Sequence, residues 1–309
     1  MKIYVLSDIT LVSSTVDGSG YAEYASGTTY SAGNKVKVSF ESDGTTPRFP
    51  VVEYESLAGG NVGNYPPDSP GQWSEIGAEN RCQMFDGYVN TQTWDEADIV
   101  VVLDADGFDC VGIFGLFATN VTLKLIRDSV TIKQETFDLR TIVPVSGWYN
   151  WLYNYYEWGT TQILWEFPRY VSGATLEITI TTRAGWDSFW AGCGMVVMGN
   201  AKTLGITRYE AKIGIDDYSI KDTDSLGRTY LNQGNYANRA DVNMWLPNNR
   251  VDYVAQQLTA IRGAPAVFDC NNDGNPYQSL QIYGYAQNFD IIIPGPIRSK
   301  CNLEIKGLI

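Results

Sequence analysis

The chain has no histidine among its 309 residues. That removes the usual general base, the Ser-His-Asp and Cys-His nucleophile arrangements and the commonest zinc ligand together. Carboxylates, Tyr, Lys and Cys are the side chains left with chemistry to offer. Asp104, Asp106 and Asp109 stand close enough to supply oxygen ligands to calcium, and Asp95-Glu96-Ala97-Asp98 lies just before them. The EF-hand spacing with its closing Glu is absent, so an acidic surface turn competes with an ion site here. Asp216-Asp217, Asp222-Thr223-Asp224 and the stretch from Asp269 to Asp273 have the same turn-like character. A glycosidase needs two carboxylates about 5 Å or about 6.5–9.5 Å apart across a sugar bond. With 35 acidic residues some such pair is bound to exist, and no motif singles one out. Gly112-Ile113-Phe114-Gly115 lacks the Lys-Ser/Thr that completes a phosphate loop. The expectation is a protein that is not an enzyme, with no catalytic residues, no metal and no cofactor.

Aromatic side chains are the alternative carriers of function, and the chain holds 20 Tyr and 9 Trp. Exposed rings stack on the apolar C–H faces of sugars, and Tyr54, Tyr65 and Trp73 are candidates for such a platform. Tyr30, Tyr54 and Trp73 are equally the rings that a small module would need for its core, so both uses stay open. The densest run is Trp148 to Trp158. It is too rich in rings for all of them to enter one core, so Trp148, Trp151, Tyr155 and Trp158 are expected at an interface or packed across a sandwich rim.

These residues must be positioned by strands. Many Thr, Val and aromatic residues with 30 Gly favour short strands and tight turns. Four parts follow: an N-terminal strand segment at 1–20, a small β module at 21–78, a jelly-roll-like β-sandwich at 79–202, and a β-barrel-like domain at 203–309. The whole is mainly β. Alternation in Lys35 to Phe40 and in the runs 99–103, 110–117, 121–126, 130–137, 161–167, 176–182 and 192–198 marks strands. In the closing domain the runs 208–213, 239–245, 280–285, 289–293 and 301–305 are read the same way. One helix is expected at 250–262, with Val251, Val254, Leu258 and Ile261 on one face, Asn249 as cap, and Gly263 and Pro265 as stops.

A second signal sits in the order of motifs. T-T-Y-S-A-G-N-K-V, V-E-Y-E-S-L, N-V-G-N-Y-P-P-D and Q-W, across 28–73, resemble small chitin-binding-type carbohydrate modules. Glu79-Asn80-Arg81-Cys82-Gln83-Met84-Phe85-Asp86, followed by Thr91-Gln92-Thr93, resembles the junction that follows such modules in tail-tip and minor tail (baseplate) proteins of tailed bacteriophages, where Trp tends to replace Cys82. The closing domain resembles the strand–helix–strand barrels from which tail hubs and tubes build rings. The resemblance implies a virion structural protein that assembles as a homo-oligomer with other phage tail or baseplate proteins in the host cytoplasm. A host-glycan-binding adhesin recognising a surface sugar is the alternative it implies.

Charge and cysteine usage fit that frame. A net charge of −13 with no Lys/Arg cluster repels phosphate backbones and anionic membranes, so neither nucleic-acid binding nor membrane insertion is expected. No signal-peptide core opens the chain and no apolar run is long enough for a bilayer. Cys82, Cys110, Cys193, Cys270 and Cys301 are odd in number and widely spaced, which reads as buried free thiols.

Overall fold

The structure, a computed structural model, describes residues 1–18, 20–142, 147–148, 152, 156–158, 161–184, 189–225, 227–271 and 277–308. It is mainly β, as expected, with a curled half-barrel sheet and a helix packed against it. Among the described residues no helix is long and apolar enough to cross a membrane.

The largest sheet has ten strands. Its path runs Ile163–Glu166, Cys110–Phe114, Met195–Thr203, Lys2–Ser7, Ala266–Asp269, Gln281–Ile292, Arg298–Gly307, Tyr236–Pro247 and Ile206–Thr207, and Lys212–Asp217 also pairs with Tyr236–Pro247. Lys2–Ser7 is the seam. It pairs antiparallel with Met195–Thr203 on one side and with Ala266–Asp269 on the other, so the sandwich and the closing half share one continuous sheet. Gly199 opposes Leu6 in that ladder, and a Cβ there would collide with the Val5 carbonyl, so glycine is needed for the approach.

A second sheet, ordered Val130–Asp138, Asn120–Arg127, Ala174–Ile180, Ile99–Asp104 and Leu11–Ser14, covers the first half of the large one. Alternation sets its inner face. Ile99, Val101 and Leu103, with Leu123 and Ile178, point inward against Val111, Ile113 and Trp165. The first fourteen residues therefore place one strand in each layer. On the other half, the helix Val251–Ala260 lays Val254 and Leu258 onto a core with Ile3, Phe268 and Leu303.

Most expected strands are present within a few residues, with informative differences. The runs 280–285 and 289–293 are one strand, Gln281–Ile292, whose ladder shifts register between Ala286 and Asn288; that irregularity breaks the apolar alternation in the sequence. In place of the run 208–213 the structure has two strands, Ile206–Thr207 before it and Lys212–Asp217 overlapping its end. Asn249 does not cap the helix. A 3₁₀ turn over Asn248–Arg250 leads directly into it, and the capping position falls on Arg250 without a side-chain bond.

The small module is a four-stranded sheet of Ala22–Glu23, Lys35–Phe40, Pro47–Ser56 and Trp73–Ala78. What fastens it to the sandwich is the 79–93 motif. Asn80 uses both ends of its amide on Trp94, donating from Nδ2 to the carbonyl (2.9 Å) and accepting at Oδ1 from the backbone N–H (3.1 Å). Thr93 Oγ1 donates to the Asn80 carbonyl (2.6 Å) and accepts from the Met84 N–H (2.9 Å). Met84 is fully buried in the sandwich core, while Phe85 packs against that core and against Phe49 of the module. Asp86 accepts from the Tyr88 N–H and the Thr91 hydroxyl.

Glu79 completes this clasp. Its side chain is 0% exposed, with the carboxylate 3.5 Å from Lys37 Nζ and 3.1 Å from Arg81 Nε. Gly18 passes so close that a Cβ would overlap Glu79 Oε1. Removing one member of a buried ion pair strands the others, typically at about 3–5 kcal/mol. Lys37 and Arg81 keep some solvent contact, so the lower end applies. Glu79→Ala is therefore expected to cost about 3 kcal/mol, read from the shift in the urea midpoint.

Candidate functional site

The module places the expected sugar platform mostly inside itself. Trp73 is 2% exposed and Tyr54 4%, and both belong to a core with Tyr30, Val36, Val38 and Val52. Trp73 Nε1 donates to the Asn64 carbonyl at 2.9 Å, and its ring meets Tyr30 edge-on at 5.1 Å. The Tyr54 hydroxyl lies 3.5 Å from Glu75 Oε2, and burial, helped by that carboxylate, pushes its pKa up to about 12. The stacking role expected of Tyr54 and Trp73 is thus corrected: so small a module needs these rings, together with Tyr30, to fill its centre. Tyr65 is different. It is half-buried, donates to the Phe40 carbonyl at 2.7 Å, and with Tyr24 and Phe40 edges a hollow of about 440 Å³.

Of the four interface aromatics, Trp151 and Tyr155 lie outside the described residues. Trp158 ends a short strand, Tyr156–Trp158, paired with Arg140–Ile142, and its side chain is outside what is described. Trp148 is 76% exposed.

The acidic triplet is committed to backbone. Asp104 Oδ1 accepts from the Asp106 N–H, Asp106 accepts from the Gly173 and Ala174 N–H groups at 3.0 and 2.8 Å, and Asp109 accepts from the Ala201 N–H at 2.7 Å. The first contact closes a local turn, and the others tie this loop to the chain at 173–174 and at 201. Among the described residues no group of His, Cys, Asp or Glu is disposed to hold a metal ion.

All five cysteines are buried and free. Burial pushes the thiols of Cys193 and Cys270 up to about 12 and that of Cys301 up to about 11.

The surface feature that the sequence reading passed over is an arm between 212 and 236. Lys212–Asp217 is an edge strand whose outer side pairs with no described strand, and it runs into a hairpin of Ile220–Thr223 with Thr229–Asn232. Every residue of those two strands is exposed. Ile213, Ile215, Ile220, Tyr230 and Leu231 are all presented to solvent, Leu231 at 75%. Polar bonds hold the arm in shape at its base: Asp216 bridges to Lys306 at 2.9 Å, Asp217 to Lys221 at 2.6 Å, and the Asp224 carboxylate accepts from the Arg228 N–H in the turn. Acidic pairs that read as plain turns are thus the fixings of an apolar projection. The signal was available in the alternating Ile213, Ile215 and the Asp-x-x-Gly turn at 224–227.

Two outcomes follow. Trp73→Ala is expected to lose about 3–5 kcal/mol and unfold the module, while Tyr65→Ala keeps a cooperative transition near the parent midpoint; thermal melts with near-ultraviolet circular dichroism separate them. The native chain at pH 8 is expected to leave its five thiols unreacted with Ellman's reagent, and to release all five in denaturant. Comparison of the chain with protein-family models, with curated proteins and with solved structures gives no match, so its function is argued from this geometry.

Proposed function

We propose that the chain is a structural component of the tail tip or baseplate of a tailed phage, assembled in several copies with other tail proteins as a ring or collar. It would be built in the host cytoplasm and reside in the virion tail. The observation that carries this reading is the 212–236 arm, which joins an open strand edge to exposed Ile and Leu side chains. An open edge invites pairing by another strand. Each large aliphatic side chain taken from water contributes about 1.5–3 kcal/mol, so an arm with several can anchor a neighbour. A heterologous contact repeated by a rotation that closes gives a ring. The 79–93 junction adds support through its resemblance, and its residues form the clasp that sets the module at a fixed angle to the sandwich. The function assigned is surface complementarity, with no reaction step.

The second reading, a host-glycan-binding adhesin, is favoured by the Tyr24–Phe40–Tyr65 hollow in the module. It is compatible with the first, because the two use different surfaces.

Assembly is tested by sedimentation velocity of the purified chain over a range of concentrations. Wild-type protein is expected to form a discrete multi-copy species. Ile215→Asp with Leu231→Asp is expected to reduce it to monomer without moving the melting temperature, since both positions are exposed. A wild-type chain that stays monomeric at high concentration would contradict the proposal.

A further inference from the structure

A cleft lies where the sandwich meets the closing half. It has a volume of about 450 Å³, within the roughly 300–1,000 Å³ range of small-molecule sites. Although 18% of the chain is charged, no Asp, Glu, Lys or Arg is among the described residues that line it. Its walls carry carboxamides instead: Asn90 and Gln162 from the sandwich side, and Gln233, Asn235, Asn238 and Gln281 from the closing half. Gln162 is engaged through its Nε2 with the Gln278 carbonyl. The side chains of Asn90, Gln233, Asn235, Asn238 and Gln281 make no hydrogen bond to the described residues, which leaves both ends of each amide open.

The floor is aromatic. Phe114 and Tyr283 lie 6.0 Å apart between ring centroids, tilted by 44°, and the exposed ring of Tyr236 stands at the rim. Gly307 lets the Asn238 backbone approach closely beside the floor, because a Cβ there would press into it.

We infer that this cleft binds a neutral saccharide. Each carboxamide offers two N–H donors and a carbonyl acceptor, the pairing a sugar hydroxyl needs, since a hydroxyl both donates and accepts. Tyr236 at the rim supplies a face for apolar sugar C–H groups. The absence of any cationic lining removes the means to hold phosphate, sulfate or carboxylate ligands, and the −13 net charge repels them further. A lipid tail would leave the open amides desolvated and unpaired, which costs about 1–3 kcal/mol for each group. The site is distinct from the aromatic hollow of the small module; it takes Gln233, Asn235 and Tyr236 from the base of the arm but none of the arm's exposed Ile and Leu side chains.

The test is isothermal titration of the full chain with three neutral probes, maltotriose, cellotriose and triacetylchitotriose, and with trigalacturonate as the anionic control. At least one neutral trisaccharide is expected to bind saturably with Kd below about 10 mM, and trigalacturonate is expected not to. Tyr236→Ala, and separately Asn235→Ala with Asn238→Ala, lie at exposed positions, so they are expected to keep the parent melting temperature while weakening binding about tenfold or more. Absence of saturable binding by all three neutral probes overturns the inference. So does binding that survives both variants, or equal binding of trigalacturonate. Sedimentation of the same variants distinguishes the remaining occupant: if they lose self-association and no probe binds, the cleft receives another copy of the chain and the saccharide assignment falls.

Discussion

A strand that buries both faces and both edges leaves the chain little freedom, and Lys2–Ser7 does this at the centre of the molecule. Ile3 points into the helix-bearing core and Tyr4 into the opposite one, with Cys110, Phe114 and Val267, while the two edges pair with Met195–Thr203 and Ala266–Asp269. Strand alternation makes this arrangement unforgiving, because a slip of one residue would exchange Ile3 and Tyr4 between two differently shaped cores. Polar ends reinforce the register: Tyr4 donates to Glu166 at 3.0 Å, and Lys2 bridges to the same carboxylate at 2.8 Å. Both the cleft between the halves and the placement of the arm depend on that seam, since the large-sheet strands of the closing half are hydrogen-bonded outward from it and the hairpin of the arm continues from one of them.

Much of the fold was legible in the sequence wherever alternation was clean. Val36 and Val38, the Ile99–Leu103 run and the Val254–Leu258–Ile261 face of the helix sit where their spacing puts them. Long-range pairing was not legible. Nothing local in Lys2–Ser7 says that its partners lie near residues 200 and 268, and parallel or antiparallel neighbours far apart in sequence leave no periodic trace. Tyr54 and Trp73 show the same limit from the side of function. Ring chemistry suits sugar stacking and core packing alike, and only three-dimensional crowding decides. The 79–93 motif was noticed for its resemblance, yet its residues act through hydrogen bonds and burial that fasten one β unit to another.

The arm was missed for an instructive reason. Its acidic residues drew attention as turns, while the apolar residues between them are too few for a core. The apolar side chains of the edge strand and of the exposed hairpin strands stay in solvent within one copy, and the proposed assembly rests on their burial against a neighbour. A net charge of −13 opposes the approach of like copies, so their contact must draw on apolar burial and strand pairing and is expected to strengthen as salt screens the repulsion.

The most direct measurement is cryo-electron microscopy of the purified chain at physiological salt, to side-chain resolution. A closed ring in which residues 212–232 of one copy lie buried against the next is the expected result. Single copies, or an oligomer in which that arm remains in solvent, would contradict assembly through it.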